Sequence, residues 1–562
     1  MPPGRERGGP CARHCTGLET GADERIAAFA RRPPGRYHGP VSIRVAFLAA
    51  ECEPWAKTGG LADVVDALAR ALGEIGGADL ELPVDVFLPR YRTVTVPPDR
   101  VTGEHTIEVA DPASGISAGR ATGRRAATTV RIIDVVADGY RLRLVDHPAS
   151  FDRAGGYYGD EAGRDYPDNA GRFGLFCRAA LAALDAEGRP PDVLHIHDWH
   201  AAPAVRYRDA AAGVGGPAIL LTVHNLAYHG WTPRARVREL GPEWTSVLAP
   251  DADGIDLLGE AIERVDLVNT VSPGFAVEAL TPAFGMGLDP ALRSRGDLFF
   301  GIVNGLDTGL WDPATDPVIA APYSRADRSG KAACRADLLT RVGLDPTDAG
   351  PVLGMIGRLD PQKGFDLLAE AAPTLLDDGF RLVVQGSGPT ELVGGLRALA
   401  AARPAGVVLI ERFDRDMARR IYAGVDGFLM PSRFEPCGTG QMISLRYGTP
   451  PIVHATGGLR DTVRDEHDSP GAGTGFVFRH PTADGLRWAC GEFARRFRAR
   501  GGTWESLLER GMAVDFDWRT GSAPAYIEAY RRAISLRRAI GARTTTNPAG
   551  AAVTRRAGAG SS

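Results

Sequence analysis

Short apolar runs alternate with amphipathic stretches along most of this chain. The apolar runs predict two series of strands, Ile43–Ala49, Val84–Leu88, Val193–His197, Ala218–Val223 and Val265–Val271, then Val352–Ile356, Leu382–Gln385, Val407–Ile410, Gly427–Met430 and Pro451–His454. Helical spacing between them predicts helices such as Phe173–Leu184, Leu367–Leu376 and Met417–Ala423. This alternation is typical of parallel sheets covered by helices on both faces. The pattern therefore predicts an α/β chain with two Rossmann-like, doubly wound domains that face each other across a cleft.

The two series of strands are separated by a polar, proline-rich stretch, residues 312–329, which predicts a linker. We therefore expect an N-terminal domain over residues 41–311 and a C-terminal domain over residues 330–515. Alternating Val, Ile and Arg positions within Thr106–Asp146 predict a hairpin insertion on the first domain.

Composition narrows the functional classes. A chain of 562 residues is too long for one core, which agrees with two domains. A formal net charge of -4 gives no reason to expect nucleic-acid or anionic-membrane binding. No apolar window is long enough for a transmembrane helix. Seven cysteines are scattered without metal-type pairing, so we expect reduced thiols and a cytoplasmic enzyme.

The two ends of the chain differ from the rest in composition. Residues 1–40 are rich in Arg, Gly and Pro and contain acidic residues, without the apolar segment of a signal peptide. We expect a disordered extension there, or an upstream start with the folded chain beginning near Val41. Residues 541–562 have low complexity, and we expect a disordered tail.

A glycine-rich turn follows the first predicted strand, at Lys57–Asp63, and a helical pattern continues from Val64. The adjacent Gly59 and Gly60 allow the backbone to approach a ligand closely. The unpaired N–H groups and positive dipole end of the following helix favour an anion, and Lys57 adds a positive charge. The turn predicts a diphosphate-sized anion site. An ordinary tight strand-to-helix turn is the alternative.

Two loops of the second domain carry candidate chemistry. Arg358 and Lys363 flank a strand-to-helix junction and could grip phosphate oxygens, although most such pairs are solvated surface cations. Glu435 follows the strand Gly427–Met430, ahead of a helix that we expect to begin around Cys437. This glutamate could cap the helix or accept hydrogen bonds from sugar hydroxyls, with the amides of residues 438–441 facing a phosphate.

A histidine-rich run, His195–His200, ends one strand of the first domain, and Thr222–Asn225 ends the next. Alternation would place Asp198 and His200 on one face and the other two histidines, with the tryptophan, on the opposite face. We predict no metal there, because no carboxylate or cysteine completes a ligand set. Instead, Asp198 and His224 should meet at the cleft mouth, where adjacent strands end.

These motifs, taken in order, resemble those of the bacterial glycogen synthases and plant starch synthases. That family consists of retaining GT-B glycosyltransferases that use ADP-glucose or, in some members, UDP-glucose. The resemblance covers about Val41 to Ile540. Its blocks are Lys57–Val64, Tyr158 with Asp165–Asn169, His197–His200, Thr222–Tyr228, Thr270–Pro273, Val303–Asp307, Gly357–Leu359 with Lys363–Gly364, Pro431–Gly438 and Thr456–Val463.

The resemblance implies transfer of an α-glucosyl unit from ADP-glucose to the non-reducing 4-OH of an α-1,4-glucan, with retention and release of ADP. No metal or other cofactor is implied. A segment at residues 516–540 should cross back to the first domain as a helix. The implied residues are Lys57, Gly60, Arg358 and Lys363 for the diphosphate, Phe413 for adenine, Asn304, Glu435, Cys437 and Gly438 for glucose, His224 and Asp198 near the anomeric centre, and Tyr158 on the acceptor side.

The chain departs from the family pattern at three places. The hydroxyl expected after Gly438 has moved to Thr439 or is lost, Ile443 stands where the wider superfamily often has a second glutamate, and Gly259 replaces a common lysine on the acceptor side. The prediction of donor binding is therefore better supported than the prediction that the acceptor is a glucan. Two alternatives stay open: a GT-B enzyme that uses UDP-glucose with a different acceptor or builds a smaller product, and a non-catalytic glucan-binding homologue. A glycogen phosphorylase is disfavoured, since phosphorylases are longer and use a pyridoxal lysine. The oligomeric state is not predicted.

Overall fold

The structure is a computed structural model that describes residues 42–546 apart from 78–79, 81–82, 111–126 and 389. Residues 1–40 and 547–562, which the sequence predicts to be disordered, lie outside the described residues. The strands are β1 Val45–Leu48, β2 Val84–Pro89, β3 Val101–Ala110, β4 Ala127–Val136, β5 Tyr140–Asp146, β6 Val193–His197, β7 Ala218–Val223, β8 Trp231–Pro233, β9 Gly254–Asp256, β10 Leu267–Thr270, β11 Phe299–Gly301, β12 Val352–Arg358, β13 Arg381–Ser387, β14 Val407–Ile410, β15 Gly427–Met430, β16 Pro451–His454 and β17 Phe476–Phe478.

The first sheet, in the part of the chain that the structure describes, has nine strands in the order β11-β10-β7-β6-β1-β2-β5-β4-β3. Strand β1 pairs in parallel with β6, with Val45 opposite Val193, and also with β2. Because the chain leaves β1 toward β2 on one side and β6 lies on the other, the switch point falls between β1 and β6. Ligands of open α/β sheets bind at such a point, beyond the carboxyl ends of the strands.

The second sheet, counted over the same described residues, has six parallel strands in the order β14-β13-β12-β15-β16-β17. Strand β12 pairs with β13 on one side and with β15 on the other. Its switch point therefore lies between β12 and β15. The parallel strands of both sheets are short and mostly buried, as expected when helices cover both faces, whereas β3 and β4 at the edge of the first sheet are longer and partly exposed.

The helices that cover the sheets vary widely in length. The longer ones are Gly60–Ile75, Asn169–Ala186, Ala204–Ala212, Leu257–Arg264, Gly330–Val342, Phe365–Asp377, Thr390–Ala402, Arg415–Gly424, Ala483–Ala499, Gly502–Ala513 and Ser522–Thr546. Short helices include Asp198–Ala201, Pro273–Glu278, Asp289–Arg295, Gly440–Arg446 and Gly457–Thr462. Among the helices of the described residues, none combines the length and apolar character that crossing a bilayer requires.

The last helix, Ser522–Thr546, returns to the first sheet after the chain has built the second. Tyr526 and Tyr530 are fully buried in the core formed around the first sheet. Trp518, just before the helix, belongs to the same core. The fold is therefore the predicted GT-B arrangement, with two Rossmann-like sheets and a final helix that crosses back.

Some local predictions differ from the structure. The last helix continues to Thr546, so residues 541–546 are helical rather than part of the predicted tail, because an established helix gains a hydrogen bond with each added residue. The predicted hairpin is present as β3 and β4, but it is not a separate insertion. Strand β5 pairs with both β4 and β2 and so joins the hairpin to the edge of the first sheet.

Candidate active site

One cleft of about 1450 Å³ lies between the two sheets. The loops that line it follow β1, β6, β7 and β11 of the first sheet and β12, β14 and β15 of the second. Both switch points therefore open into the same space. All of the site residues predicted from the sequence line this cleft, namely Lys57, Gly60, Tyr158, Asp198, His224, Asn304, Arg358, Lys363, Phe413, Glu435, Cys437 and Gly438.

Glu51, which is not among the site residues predicted from the sequence, organises the glycine-rich turn. Its buried carboxylate accepts hydrogen bonds from the backbone N–H groups of Thr58, at 2.6 Å, and Gly59, at 3.0 Å. It also accepts hydrogen bonds from the Thr58 hydroxyl and the Tyr158 hydroxyl, each at 2.6 Å. The signal that could have found it is an acidic residue directly after the first apolar strand, at the edge where ligands bind.

Lys57 lies at the rim of the cleft with acidic neighbours. Its Nζ is 2.5 Å from an Asp63 carboxylate oxygen and 3.4 Å from one of Glu53. Two carboxylates that hold the ammonium at the start of the Gly60–Ile75 helix keep it where an anion would bind. A phosphate could replace these carboxylates as its partner.

Asp198 and His224 meet at the ends of β6 and β7, as the sequence predicts. The His224 backbone N–H donates to Asp198 Oδ1 at 2.7 Å. Burial raises the pKa of the Asp198 carboxyl to about 7, although hydrogen bonds from the backbone oppose the shift. The predicted strand-like alternation through Asp198 and His200 is wrong, because β6 ends at His197 and Asp198 turns to a φ of 54° at the start of a short helix.

The side chain of His224 is held by a second histidine. Its Nε2 lies 3.0 Å from Nδ1 of His197. Burial lowers the pKa of His224 to about 3 and that of His197 well below its usual value, so both rings are neutral and one nitrogen of the pair must donate. His197 Nε2 is buried without a partner in the described structure, and an orphaned N–H is rarer than an orphaned acceptor. We therefore assign the bridging proton to His197 Nδ1, which leaves the proton of His224 on its Nδ1.

The histidine run does not form a metal site with other side chains. Within the described ranges, no group of three or more His, Cys, Asp or Glu side chains is arranged to hold a metal ion. His195 instead lies in a hydrogen-bonded chain, with its Nδ1 2.9 Å from the Tyr530 hydroxyl and its Nε2 2.6 Å from the Thr222 hydroxyl. This chain ties the crossing helix to β6 and β7, immediately beneath His197 and His224.

In the second half of the cleft, Glu435 and Lys363 form a close pair. Lys363 Nζ lies 2.5 Å from Oε2 of Glu435, and the Ser432 hydroxyl donates to the same oxygen at 3.0 Å. Glu435 is buried, and a cation and a hydroxyl hold its carboxylate in place. Arg358, at the end of β12, is more exposed, and its guanidinium lies 3.3 Å from the Asp360 carboxylate.

Gly438 occupies a backbone position that only glycine fits. Its φ is +74°, and a Cβ there would lie 2.6 Å from Gln441 Oε1. The next helix begins at Gly440, not around Cys437 as predicted, because Cys437 and Gly438 form the turn that precedes it. Burial raises the pKa of the Cys437 thiol to about 12, so this side chain is neutral.

Three other predicted residues occupy distinct parts of the wall. Asn304 follows β11 and is buried, and its Oδ1 has no hydrogen-bond partner within the described structure. Phe413 follows β14 and is 79% exposed, an unusual state for a phenylalanine. The Tyr158 ring packs on His200, with the ring centroids 4.7 Å apart.

Two Rossmann-like sheets whose switch points share one cleft, together with a crossing C-terminal helix, define a glycosyltransferase of the GT-B class. Residues 44–294 match the starch synthase catalytic domain family, and residues 341–493 match glycosyl transferases group 1. The chain is 41% identical over 499 residues to a glycogen synthase of Anaeromyxobacter sp., a match that covers 87% of this chain and 99% of that protein. It is 38% identical over 504 residues to a glycogen synthase of Syntrophotalea carbinolica, covering 88% and 100%. The chain belongs to the glycogen synthase and starch synthase family.

Solved structures agree with this assignment. The catalytic domain of starch synthase IV from Arabidopsis thaliana, bound to ADP and acarbose, superposes with a TM-score of 0.75 at 32% identity, covering 88% of this chain and 100% of that one. A sucrose-phosphate synthase from Thermosynechococcus elongatus superposes with a TM-score of 0.54 at 18% identity, covering 88% and 99%. That second likeness shows the fold alone.

Proposed function

We propose that the cleft transfers an α-glucosyl unit from ADP-glucose to the non-reducing 4-OH of an α-1,4-glucan, with retention and release of ADP. Glycogen synthase relatives that align over almost their full length support this reaction. The observation that carries the residue-level proposal is that cations from both sheets and the buried Glu435 line one cleft with Asp198 and His224. A donor bound between the sheets would touch both groups.

The proposed diphosphate site uses Lys57 and the Gly60 amide from the first half, and Arg358 and Lys363 from the second. All three cations have carboxylate partners in this structure, so donor binding would exchange these partners for phosphate oxygens. As the bond to glucose breaks, negative charge grows on the departing ADP, and cations fixed in advance stabilise it. A preorganised donor of this kind is typically worth about 3–4 kcal/mol of transition-state stabilisation.

The glucosyl unit is proposed to lie between Glu435 and His224. The fixed carboxylate of Glu435 would accept hydrogen bonds from sugar hydroxyls, beside Asn304, Cys437 and Gly438. His224 would offer a neutral Nδ1–H to the sugar near its anomeric carbon. Phe413 would stack on adenine, because its exposed ring gives the base an apolar face.

The acceptor hydroxyl must lose a proton during transfer. A carboxyl with a pKa of about 7 can take up a proton at neutral pH, and Asp198 has such a pKa beside His224. We therefore assign proton uptake to Asp198, and Tyr158 to the acceptor side of the cleft. Closure of the two halves around the donor would exclude water, which would otherwise hydrolyse ADP-glucose.

We place this enzyme in the cytoplasm. The cysteines within the described residues, Cys52, Cys177, Cys334, Cys437 and Cys490, are all buried free thiols. Reduced thiols are typical of a reducing compartment, where a nucleotide sugar would also be available.

The test offers radiolabelled ADP-glucose and UDP-glucose separately with glycogen as primer and measures glucose incorporation. We expect incorporation from ADP-glucose and little from UDP-glucose, and the Glu435→Gln variant should lose at least about a hundredfold in turnover. Preferential use of UDP-glucose would favour the alternative donor. Incorporation from neither donor would favour a non-catalytic glucan-binding protein.

A further inference from the structure

Three large aromatic side chains are exposed on the walls of the cleft. Tyr228 is 60% exposed and Trp231 is 59% exposed, and both come from the segment that follows β7 of the first sheet. Phe413, 79% exposed, comes from the second sheet. Aromatic surface is costly to leave in water, so a group of exposed rings in a cleft indicates a ligand. One ring on the second half is assigned to adenine, and the two rings on the first half have no assigned ligand.

The backbone holds the Trp231 ring in place from behind. Trp231 is the first residue of β8, which pairs with β9 in a two-stranded antiparallel ribbon, with Trp231 opposite Asp256. Gly254 of β9 lies directly under the ring, since a Cβ there would be 2.9 Å from Trp231 Cζ2. One part of the indole therefore packs on bare backbone, and the rest faces the cleft.

The loop that leads into this ribbon is also fixed. His229 Nδ1 lies 2.7 Å from Asp256 Oδ2, and the Asp256 carboxylate caps the Leu257–Arg264 helix by accepting from the Gly259 N–H at 2.8 Å. The segment between Tyr228 and Trp231 is therefore anchored to the N-terminus of the Leu257–Arg264 helix. Such anchoring lowers the entropy lost when a ligand stacks on the rings.

The chemistry of this wall suits a neutral, hydroxyl-rich ligand. The proposed diphosphate cations are Arg358 and Lys363 of the second half and Lys57 of the first, which lies at the start of the Gly60–Ile75 helix. The first half also contributes Asn225, Tyr166 and Arg236 to the cleft, and the charge of Arg236 is balanced by Glu239. A glucose ring has an apolar face of C–H bonds, which packs on the electron-rich face of an aromatic ring, and hydroxyls around its edge, which need hydrogen-bond partners. A glucan chain offers such faces repeatedly.

We propose that Tyr228 and Trp231 form a stacking platform for successive glucosyl residues of the α-glucan acceptor. This inference rests on the proposed function and specifies where the acceptor binds. It divides the cleft by its aromatic side chains: Phe413 binds the donor from the second half, and the Tyr228–Trp231 platform binds the acceptor from the first. Gly259, which stands where the family has an acceptor-side lysine, lies at the helix that anchors the platform.

The kinetic test uses Tyr228→Ala, Trp231→Ala and Trp231→Phe with varied glycogen and varied ADP-glucose. Loss of either ring should raise the half-saturating glycogen concentration roughly tenfold and leave the KM for ADP-glucose unchanged, whereas Trp231→Phe, which keeps a stacking face, should recover most of the loss. Trp488→Ala is the matched control, because Trp488 is 46% exposed on the Ala483–Ala499 helix and does not line the cleft. Phe413→Ala should show the reverse pattern, with a raised KM for ADP-glucose.

A binding measurement keeps the inference separate from the proposed function. Titration calorimetry with maltoheptaose needs no turnover, so it reports on the platform even if the wild-type protein incorporates no glucose. Weaker maltoheptaose binding by Trp231→Ala than by wild type and Trp488→Ala supports the platform. Unchanged glycogen saturation and unchanged maltoheptaose binding in both alanine variants, with normal thermal unfolding, would overturn it.

Discussion

At the residue scale, Lys363 and Arg358 belong to one sequence motif but lie in different surroundings. Lys363 is 22% exposed and pairs with the buried Glu435, whereas Arg358 is 66% exposed. Lys363→Ala leaves a buried carboxylate without its cation, which should lower the free energy of unfolding by about 1–3 kcal/mol or more. We expect this variant to unfold several degrees lower than wild type, and Arg358→Ala to unfold like wild type, while both bind ADP-glucose more weakly. Scanning calorimetry measures the difference, and equal unfolding midpoints would contradict the pairing.

A second residue-scale prediction concerns Asp198 and pH. In the unfolded chain this carboxyl loses its proton near pH 4, and in the folded chain it does so near pH 7. Between these values the folded state holds more protons, so this residue makes stability fall as pH rises, by at most about 1.4 kcal/mol per pH unit.

Asp198→Asn removes the titrating group and keeps the side-chain shape, with an amide oxygen to accept from the His224 N–H. We expect the free energy of unfolding of the variant, relative to that of wild type, to increase steadily as the pH rises from 5 to 7.5. Urea unfolding at each pH measures this difference. A constant stability difference across this range would refute the raised pKa.

Functional residues can be predicted from this sequence where a motif directly follows a predicted strand. The sequence predicts that Lys57, His224 and Glu435 line one cleft, because each lies in a loop that follows a buried strand. The place of Glu51 directly after the first strand marks it as a candidate, but its role depends on two backbone amides and on a tyrosine more than 100 residues away, and only the structure shows these contacts. The left-handed turn at Asp198 was missed, because non-glycine residues rarely adopt a positive φ.

At the element scale, the crossing helix supports the histidine layer beneath the site. Tyr530→Phe removes the partner of His195 Nδ1 and leaves that buried nitrogen unsatisfied. We expect the free energy of unfolding to fall by about 1–3 kcal/mol, with the KM for ADP-glucose unchanged because the change lies behind the cleft wall. Urea unfolding with parallel kinetics is the measurement, and a variant as stable as wild type would show that the helix is not anchored there.

Strands are predictable from this sequence where a short apolar run has polar or turn-forming residues at both ends. All ten predicted strands have counterparts, and β6, β7, β14, β15 and β16 have the predicted bounds. The end of a strand is less predictable where polar residues continue it, as Arg358 does in β12. The backbone of Arg358 stays in the strand because it pairs with the neighbouring strand β13, and the apolar pattern does not show this pairing. Likewise, the edge strands β3 to β5 appear in the sequence as a local hairpin, and only the pairing of β5 with β2 makes them part of the sheet.

At the scale of the whole molecule, the two halves meet at a contact beside Glu435. The Ser272 hydroxyl donates to the Pro436 carbonyl at 2.5 Å, and the Glu278 carboxylate accepts from the Gly457 N–H at 2.9 Å. The Gly458 N–H in turn donates to the Glu435 carbonyl at 3.0 Å. These hydrogen bonds connect the backbone of residues 435 and 436 to the first half, so we expect a change in the relative position of the halves to move the glutamate.

Glu278→Ala should loosen this contact and admit water to the closed cleft. We expect ADP-glucose hydrolysis to rise several-fold relative to glucosyl transfer, measured as ADP released against glucose incorporated. The exposed Glu263 provides the control substitution, Glu263→Ala. An unchanged ratio in the Glu278 variant would mean that this contact does not control water access.

The central claim is that one sugar diphosphate is held between cations of both sheets, so that glucose leaves with its configuration retained. A crystal structure of the protein with ADP-glucose tests it most directly. We expect the diphosphate within hydrogen-bonding distance of Lys57, Arg358 and Lys363, and the glucosyl ring between Glu435 and His224. A sugar diphosphate bound outside the cleft, or contacted by only one sheet, would contradict the account.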